Sequence, residues 1–392
     1  MSEHTLARLN GSLGAVFAYP FRIFFLSLGV MAVVTIPLWL LLLFGRIDLP
    51  LALPALHWHQ HEMLFGFLQA AIAGFLLTAV CVWTQTERTY GAALLRLWLV
   101  WLAGRLTLLL GAGWPDILVL AVNLAFMPLV MWDAGRRIWQ ARQQRQLVIL
   151  IILGALWLLQ AGYLIAPHPV YTAATLVLAM ALMLVIGGRI TPAFSGNWLR
   201  QQGQDPNAVK IRPWLEKATL ITTLLLVPAL FIELTPLTLT LAVLASLFSL
   251  LRLSGWQGWR TRTEPLLWIL HLSLLWIPLA LGLLAAHLAG WISSSVWQHA
   301  AGYGAMGGLI LGVISRVALG HTGRPLRLPA GMTLAFILLH VGALVRVATA
   351  LQWLPWHPGL GISALCWMAA YGLFLWRYTG VLVSPRTDGR PG

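Results

Sequence analysis

The chain has 392 residues and a mean hydropathy of +0.83; 59% of its residues are hydrophobic and only 9% are charged. This composition excludes a soluble globular monomer, because soluble domains carry about 25% charged residues. The net charge of +14 does not favour a nucleic-acid-binding protein, since the basic residues are scattered between apolar runs instead of forming one patch.

Apolar stretches long enough for a helix to cross about 30 Å of hydrocarbon recur along the chain, and about twelve of them are predicted. Their continuous apolar character excludes the alternating pattern of a membrane β-barrel. The predicted fold is therefore all-α: a single polytopic bundle of about twelve transmembrane helices. The predicted spans lie near 23–44, 62–83, 92–110, 117–135, 147–165, 170–187, 215–232, 237–251, 266–286, 296–317, 331–350 and 359–376.

The positions of lysine and arginine predict the orientation of the bundle. With the N-terminus inside, Arg46 is the basic residue of the outer loops, and Arg105, Arg316 and Arg346 lie within spans. The remaining basic residues all fall on the cytoplasmic side, as retained positive charge requires. The sequence therefore predicts an N-in/C-in, multi-pass protein. No connection exceeds about 30 residues, so no soluble domain is predicted.

Histidine is the most informative residue type, since an imidazole in lipid is costly unless it is paired, metal-bound or facing a cavity. Three of the 11 histidines, His57, His59 and His61, stand at the outer mouth of the second span. In an extended segment alternate histidines share one face, whereas in a helix His57 and His61 do. Either geometry directs two imidazoles at one metal, and Met63 adds a soft ligand for copper. The alternative is three hydrated interfacial histidines.

Three further histidines lie within or near the spans. His299 begins the tenth span at the predicted depth of the triple-histidine segment, which favours a shared site. His340 lies near the middle of the eleventh span and His271 in the inner third of the ninth. Ionisable groups at such depths in a membrane mark functional sites or pathways for ions and protons. For each of these histidines, the alternative is a buried ring that is hydrogen-bonded to a carbonyl.

Two of the intramembrane arginines, Arg105 and Arg346, map to the outer half of the bundle, at the depth of the histidines. Each needs an anionic partner in this environment. The carboxylates of a haem would suit them, and a structural ion pair with Glu62 or Glu233 is equally open.

Two spans carry small residues at every fourth position. Such stripes let helices approach closely, and a flat macrocycle also needs walls without side chains; both interpretations stay open. The stripes consist of Gly66, Ala70 and Gly74 in the second span and Gly304, Gly308 and Gly312 in the tenth.

Four blocks of sequence resemble one known family. The first runs from His59-Gln60-His61-Glu62-Met63-Leu64-Phe65-Gly66 through 73–79 to Trp83-Thr84 and is similar to the hallmark of the NnrS family. Blocks at 101–105, 187–194 and 299–326 agree with it in order and spacing.

The resemblance implies a bacterial inner-membrane protein that contains haem and copper and takes part in the response to nitric oxide and in relief of nitrosative stress. It does not say which residues bind metal. The family's prominent polar positions fall on His59, His61, Glu62, Arg105, Arg189, His299, Arg316, His321 and Arg324.

Together these observations predict haem and copper in the outer half of the bundle, with nitric oxide as the small-molecule partner and lipid as the surroundings. The candidate ligands are His57, His59, His61, Met63, His299 and His340, with Arg105 and Arg346 beside the cofactor. No catalytic residue is assigned, because no chain of carboxylates for protons is visible. The alternative is a transporter of haem, metal or a small solute, for which Pro228 and Pro278 would interrupt apolar helices.

Overall fold

A computed structural model of the chain describes residues 12–389 and is helical throughout, with no strand among those residues. Twelve of its helices are long and apolar enough to cross a membrane, which confirms the predicted number. A short helix, Ser12–Val16, precedes them. The twelve spans are Pro20–Leu43, Ala55–Thr84, Gly91–Leu110, Asp116–Gln140, Gln144–Ile165, Pro169–Gln201, Pro213–Phe231, Thr235–Gly255, Pro265–Leu288, Ser294–His321, Met332–Ala350 and Trp356–Val383.

Local sequence accounts for where several spans begin and end. Pro20, Pro213 and Pro265 each stand in the first turn of a span, where proline costs no hydrogen bond because the amide would be unpaired anyway. The second span ends at Gln85, whose left-handed backbone (φ 54°) turns the chain out of the helix.

Several spans are longer than the apolar runs predicted, and the second, sixth and twelfth exceed them most. The second begins at Ala55 and not at residue 62, the sixth continues to Gln201 and the twelfth to Val383. The added turns contain histidine, arginine or other polar residues, which an apolar window excludes although they continue the helix. The consequence for the site is direct, because the triple-histidine segment becomes part of the second span.

Two prolines that interrupt apolar runs of the sequence do not break their helices. Pro228 lies inside the continuous helix Pro213–Phe231, and Pro278 lies inside Pro265–Leu288. Ser246 Oγ of span 8 donates a 2.8 Å hydrogen bond to the carbonyl oxygen of Pro278. A hydroxyl of a neighbouring span therefore pairs with a backbone carbonyl at the proline.

The chain divides into two compact units. Unit 1 consists of Met1–His168, Ile314–Pro329 and Tyr371–Gly392, and unit 2 of Pro169–Val313 and Ala330–Ala370. Within unit 1, span 2 packs on spans 1 and 4, and span 4 on spans 3 and 5. Within unit 2, spans 6 to 9 pack in sequence, and span 10 packs on spans 9 and 11.

Glycines allow the closest approaches within each unit. A Cβ atom on Gly74 of span 2 would lie 2.7 Å from the Phe25 ring of span 1. A Cβ atom on Gly312 of span 10 would lie 3.0 Å from Ile269 and Leu270 of span 9. These residues therefore serve helix packing, as small residues do in membrane bundles.

Candidate functional site

The triple-histidine segment is helical. Ala55–His61 is an α-helix, so His57 and His61 share one face, as the helical alternative predicted. Tyr163 of span 5 contacts both rings, with ring centroids 6.0 Å from His57 and 6.4 Å from His61. The ring of His59 points elsewhere and stacks on Trp39 of span 1, with centroids 4.6 Å apart and planes 7° apart.

The helix widens immediately after His61. Glu62–Phe67 is a π-helical segment, after which the α-helix resumes at Leu68. Such segments are rare and occur frequently at functional sites. Glu62 is 2% exposed here, and its carboxylate lies between two partners: Oε1 is 3.3 Å from His61 Nδ1 and Oε2 is 3.1 Å from Arg105 Nε.

Glu62 was one of two carboxylates predicted as an ion-pair partner for Arg105, the other being Glu233. The structure confirms the pair with Glu62. Arg105 also donates a 3.0 Å hydrogen bond from Nη2 to Asn123 Oδ1 on span 4. A Cβ atom on Gly66 would lie 2.7 Å from Arg105 Nη1 and 3.0 Å from Glu62 Oε2, so the pair rests against this glycine. The small-residue stripe of span 2 therefore makes room for an ion pair at this point.

The hydrogen bonds of His61 define which ring nitrogen carries the proton. The side-chain amide nitrogen of Gln160, on span 5, lies 3.2 Å from His61 Nε2 and donates to it. His61 Nε2 is therefore the nitrogen with the lone pair, and Nδ1 carries the hydrogen that faces Glu62. A histidine whose Nδ1–H is held by a carboxylate, and whose Nε2 carries the lone pair, has the arrangement of a metal ligand with its supporting shell.

Three amide side chains that the sequence analysis missed complete this network. Gln69 Nε2 donates to Gln160 Oε1 at 2.8 Å, and Gln160 Nε2 also lies 3.2 Å from the carbonyl oxygen of Asn123. Asn123 in turn donates to the carbonyl of Val119. A signal was available, because an amide inside an apolar span needs a partner as a titratable group does. The site of unit 1 thus draws on spans 2, 3, 4 and 5.

The remaining predicted ligands of span 2 are placed differently. His57 Nδ1 is buried and makes no hydrogen bond with the described residues. Met63 is partly buried at the start of the π-helical segment. Among residues 12–389, no group of three or more His, Cys, Asp or Glu side chains is arranged to hold a metal ion.

Unit 2 contains a second π-helical segment, Ala300–Gly307, which begins immediately after His299. His299 Nδ1 lies 2.7 Å from the carbonyl oxygen of Ser295 and 3.2 Å from Ser295 Oγ. Because a carbonyl only accepts, Nδ1 carries the hydrogen and Nε2 the lone pair. Arg346 of span 11 donates a 3.5 Å hydrogen bond from Nη2 to the same Ser295 Oγ.

His340 has the opposite proton arrangement from His61. Trp276 Nε1 donates a 3.1 Å hydrogen bond to His340 Nδ1, so the hydrogen of the neutral ring lies on Nε2. His340 is 6% exposed, and its Nε2 has no hydrogen-bond partner among the described residues. Coordination through Nε2 would require His340 to give up the bond with Trp276.

The small-residue stripe of span 10 is filled by neighbouring side chains. A Cβ atom on Gly304 would lie 2.6 Å from Cγ of Trp276 and closer still to Cδ2 of that ring, and one on Gly308 would lie 3.0 Å from His340 Cε1. Together with the contacts of Gly66, Gly74 and Gly312, these approaches favour the packing interpretation of both stripes. His299 and His340 lie in unit 2 and His57, His59 and His61 in unit 1, so a shared site remains a prediction.

Two other predicted polar residues of unit 2 have packing roles or lie at the surface. His271 is partly buried, and its Nε2 forms a 2.8 Å hydrogen bond with Ser195 Oγ, a hydroxyl where the alternative named a carbonyl. Arg189 is exposed. Its neighbour Gly188 makes room for a bidentate ion pair that the sequence analysis missed, in which Arg252 Nε and Nη2 lie 2.7 and 2.5 Å from the carboxylate of Glu216.

The predicted polar residues at 316–324 belong to unit 1. Arg316 is partly buried. The carbonyl of His321 accepts a 2.8 Å hydrogen bond from Arg386, whose pKa is raised by its hydrogen bond with Asp388. Arg324 Nη1 is buried and makes no hydrogen bond with the described residues. These contacts attach residues 386–388 to the segment that follows span 10.

Comparison with known proteins identifies the chain at the level of its family. A comparison with curated proteins found no match. The family model described as "NnrS protein" matches residues 15–386, almost the whole chain. The match covers both units, both π-helical segments and all twelve spans. The chain therefore belongs to the NnrS family.

Proposed function

We propose that this protein is a haem- and copper-containing protein of the bacterial inner membrane that binds nitric oxide and takes part in relief of nitrosative stress. The observation that carries the proposal is the arrangement around His61 in unit 1. Its Nδ1–H faces Glu62 Oε1 at 3.3 Å, and its Nε2 carries the lone pair that a metal would use. Family membership supports the same function.

The donor set fits a haem better than a metal ion held by the protein alone. A haem iron takes four ligands from the macrocycle and needs one or two from the chain, so a single oriented histidine suffices. The described residues bring together no group of three or more metal-binding side chains. His61 is our first choice to hold the iron, once Gln160 is displaced from Nε2, and a haem iron with an open position would bind small gases.

The residues around His61 then have defined tasks. Glu62 keeps the proton on Nδ1 and increases the basicity of the ring, as carboxylates behind ligating histidines do. Arg105 balances the charge of Glu62 inside the bundle, and Asn123 holds Arg105. His299 offers a second oriented ring, with its Nδ1–H on the carbonyl of Ser295. For copper, His57, His59 and Met63 stay candidates beside these two histidines.

The first test is an optical spectrum of the detergent-purified protein, reduced with and without nitric oxide, beside elemental analysis for iron and copper. We expect near-stoichiometric iron and a Soret band that shifts when the gas is added. A colourless protein that stays metal-free after haem and copper are supplied would contradict the proposal. Uptake of haem or metal into vesicles that contain such a protein would then support the transporter alternative.

A further inference from the structure

The two units contain corresponding elements. Gln60-His61 leads directly into one π-helical segment and Gln298-His299 into the other, and these are the two π-helical segments of the described chain. A glycine follows each histidine at the same distance, Gly66 in unit 1 and Gly304 in unit 2.

The correspondence continues into the following span. Span 3 runs Gly91–Leu110 and span 11 runs Met332–Ala350, and in both the arginine occupies the same position counted from the first residue. These residues are Arg105 and Arg346. In each unit the arginine is linked to the neighbourhood of the π-flanking histidine through one intermediate side chain, Glu62 in unit 1 and Ser295 in unit 2.

The intermediate side chain makes the two sites differ in charge. In unit 1 the carboxylate of Glu62 neutralises Arg105 at 3.1 Å. In unit 2 the position that follows the histidine is Ala300, and the link is the neutral hydroxyl of Ser295, 3.5 Å from Arg346 Nη2. Among the described residues Arg346 forms no ion pair with Asp or Glu, and this distinguishes it from Arg105. Its Nη1, like that of Arg105, is buried without a hydrogen bond.

The surroundings of Arg346 also suit a bound group. Its guanidinium carbon lies 5.7 Å from the centroid of the Trp356 ring, and Trp356 is exposed, so the site can be approached from the end of the span. A guanidinium offers donors in a fork that matches a carboxylate. An uncompensated arginine within a span is costly, and an external anion would remove that cost.

We propose that Arg346 and Ser295 of unit 2 form a binding site for the carboxylate of a ligand, which takes the place that Glu62 occupies in unit 1. The carboxylate belongs either to a porphyrin held within unit 2, where His299 offers the second oriented ring, or to a small free acid. The porphyrin source rests on the proposed function, whereas the site itself rests on the contacts of Arg346.

The porphyrin source is tested with protoporphyrin IX free of iron, titrated against its dimethyl ester by fluorescence into the full-length, cofactor-stripped protein. The wild type should bind the free acid roughly tenfold more tightly than the ester, because a hydrogen-bonded charge is lost in the ester. Arg346→Gln should abolish this preference. Ser295→Asp should also abolish the preference, because this variant supplies an internal carboxylate for Arg346. The second variant keeps the test valid if Arg346→Gln fails to fold.

The matched control is Arg377→Gln, which removes an arginine that also lies on a tryptophan, 3.9 Å from the ring centroid of Trp376. This variant should keep the preference. A preference that survives both Arg346→Gln and Ser295→Asp would overturn the site.

The free-acid source is tested by the melting temperature in benzoate against chloride at equal ionic strength. Benzoate should raise the melting temperature of the wild type and leave Arg346→Gln and Ser295→Asp unchanged. Stabilisation by benzoate without porphyrin binding would support the carboxylate site and assign it to a small free acid, whereas the haem proposal is decided separately by the spectrum and iron content. The absence of both effects would overturn the site, and so would a phospholipid that copurifies with the wild type and is lost in Arg346→Gln.

Discussion

Unit 1 and unit 2 share a local arrangement of a histidine, a π-helical segment and an arginine, but they differ in how the charge of the arginine is balanced. In both, a histidine precedes a π-helical segment, and an arginine of the next span faces it. In unit 1 the carboxylate of Glu62 neutralises Arg105, and the amide of Gln160 donates to His61. Unit 2 leaves Arg346 without a carboxylate among the described residues. Under our two proposals, unit 1 orients a histidine for metal binding, whereas unit 2 binds an external anion.

The largest effect is expected from Glu62→Gln, which removes the carboxylate that distinguishes the two units. Arg105 would stay buried without a counter-charge, which costs about 3 to 5 kcal/mol of folding free energy. His61 Nδ1–H would face a neutral amide instead of a carboxylate, which holds the proton less strongly and makes the ring less basic, so the haem content should fall as well. Thermal unfolding in detergent and the iron-to-protein ratio measure the two effects.

Glu233→Gln is the matched control, because Glu233 is exposed and was the other predicted partner of the arginines. It should behave as the wild type. The double variant Glu62→Gln/Arg105→Gln should recover much of the stability but not the haem, since it leaves no buried charge and still lacks the carboxylate behind His61. Equal stability of Glu62→Gln and wild type would contradict the ion pair's role in unit 1.

An intermediate effect is expected from a methyl group added at the corresponding glycines. Gly304→Ala places a Cβ atom 2.6 Å from Cγ of Trp276 and closer still to Cδ2 of its rigid ring, so about 1 to 3 kcal/mol should be lost. Gly66→Ala meets the far ends of Met31, Arg105 and Glu62, which can move, so its stability loss should be smaller. Its haem content should fall, however, because the displaced groups hold His61.

Gly361→Ala provides the control for both variants, because a Cβ atom there has nothing within 4 Å. Alanine in the interior of this helix should be neutral or should stabilise by about 0.5 to 1 kcal/mol. Melting temperatures compare the three variants, and a Gly304→Ala protein as stable as Gly361→Ala would refute the close packing of span 10.

The smallest effect is expected from Trp276→Phe in unit 2, which removes the hydrogen bond to His340 Nδ1 while keeping most of the ring. The loss should be about 1 kcal/mol, the usual contribution of one such bond. Trp101→Phe is the counterpart in unit 1, because Trp101 Nε1 donates to the carbonyl of Gly66 at 3.0 Å. Urea or thermal unfolding compares the two, and a loss above that of Gly304→Ala would reverse the predicted order.

The sequence predicted the twelve spans because continuous apolar runs of about 20 residues are typical of transmembrane helices and rare in soluble proteins. It also offered Glu62 as a partner for Arg105, and the structure confirms this pair. It missed the polar starts and ends of the spans, such as the turn that contains His57, because a hydropathy window counts only apolar residues. The orientation of the bundle stays a prediction.

The interior of the sites was less accessible to sequence reasoning. Whether a histidine orients as a ligand or as a donor depends on a partner far away in the chain, as with Gln160 for His61 and Trp276 for His340. A π-helical segment is a change of hydrogen-bond register that the composition of span 2 does not reveal. The glycine stripes were ambiguous for the same reason, because their facing side chains come from other spans.

The central claim is that the oriented histidine of unit 1 holds the haem. The most direct measurement is the haem content of His61→Ala and His340→Ala, purified side by side and compared by Soret absorbance and iron per protein. We predict that His61→Ala loses its haem. His340→Ala should keep it, because in the wild type Nδ1 of His340 is occupied by the hydrogen bond from Trp276. A His61→Ala protein with full haem would contradict the account.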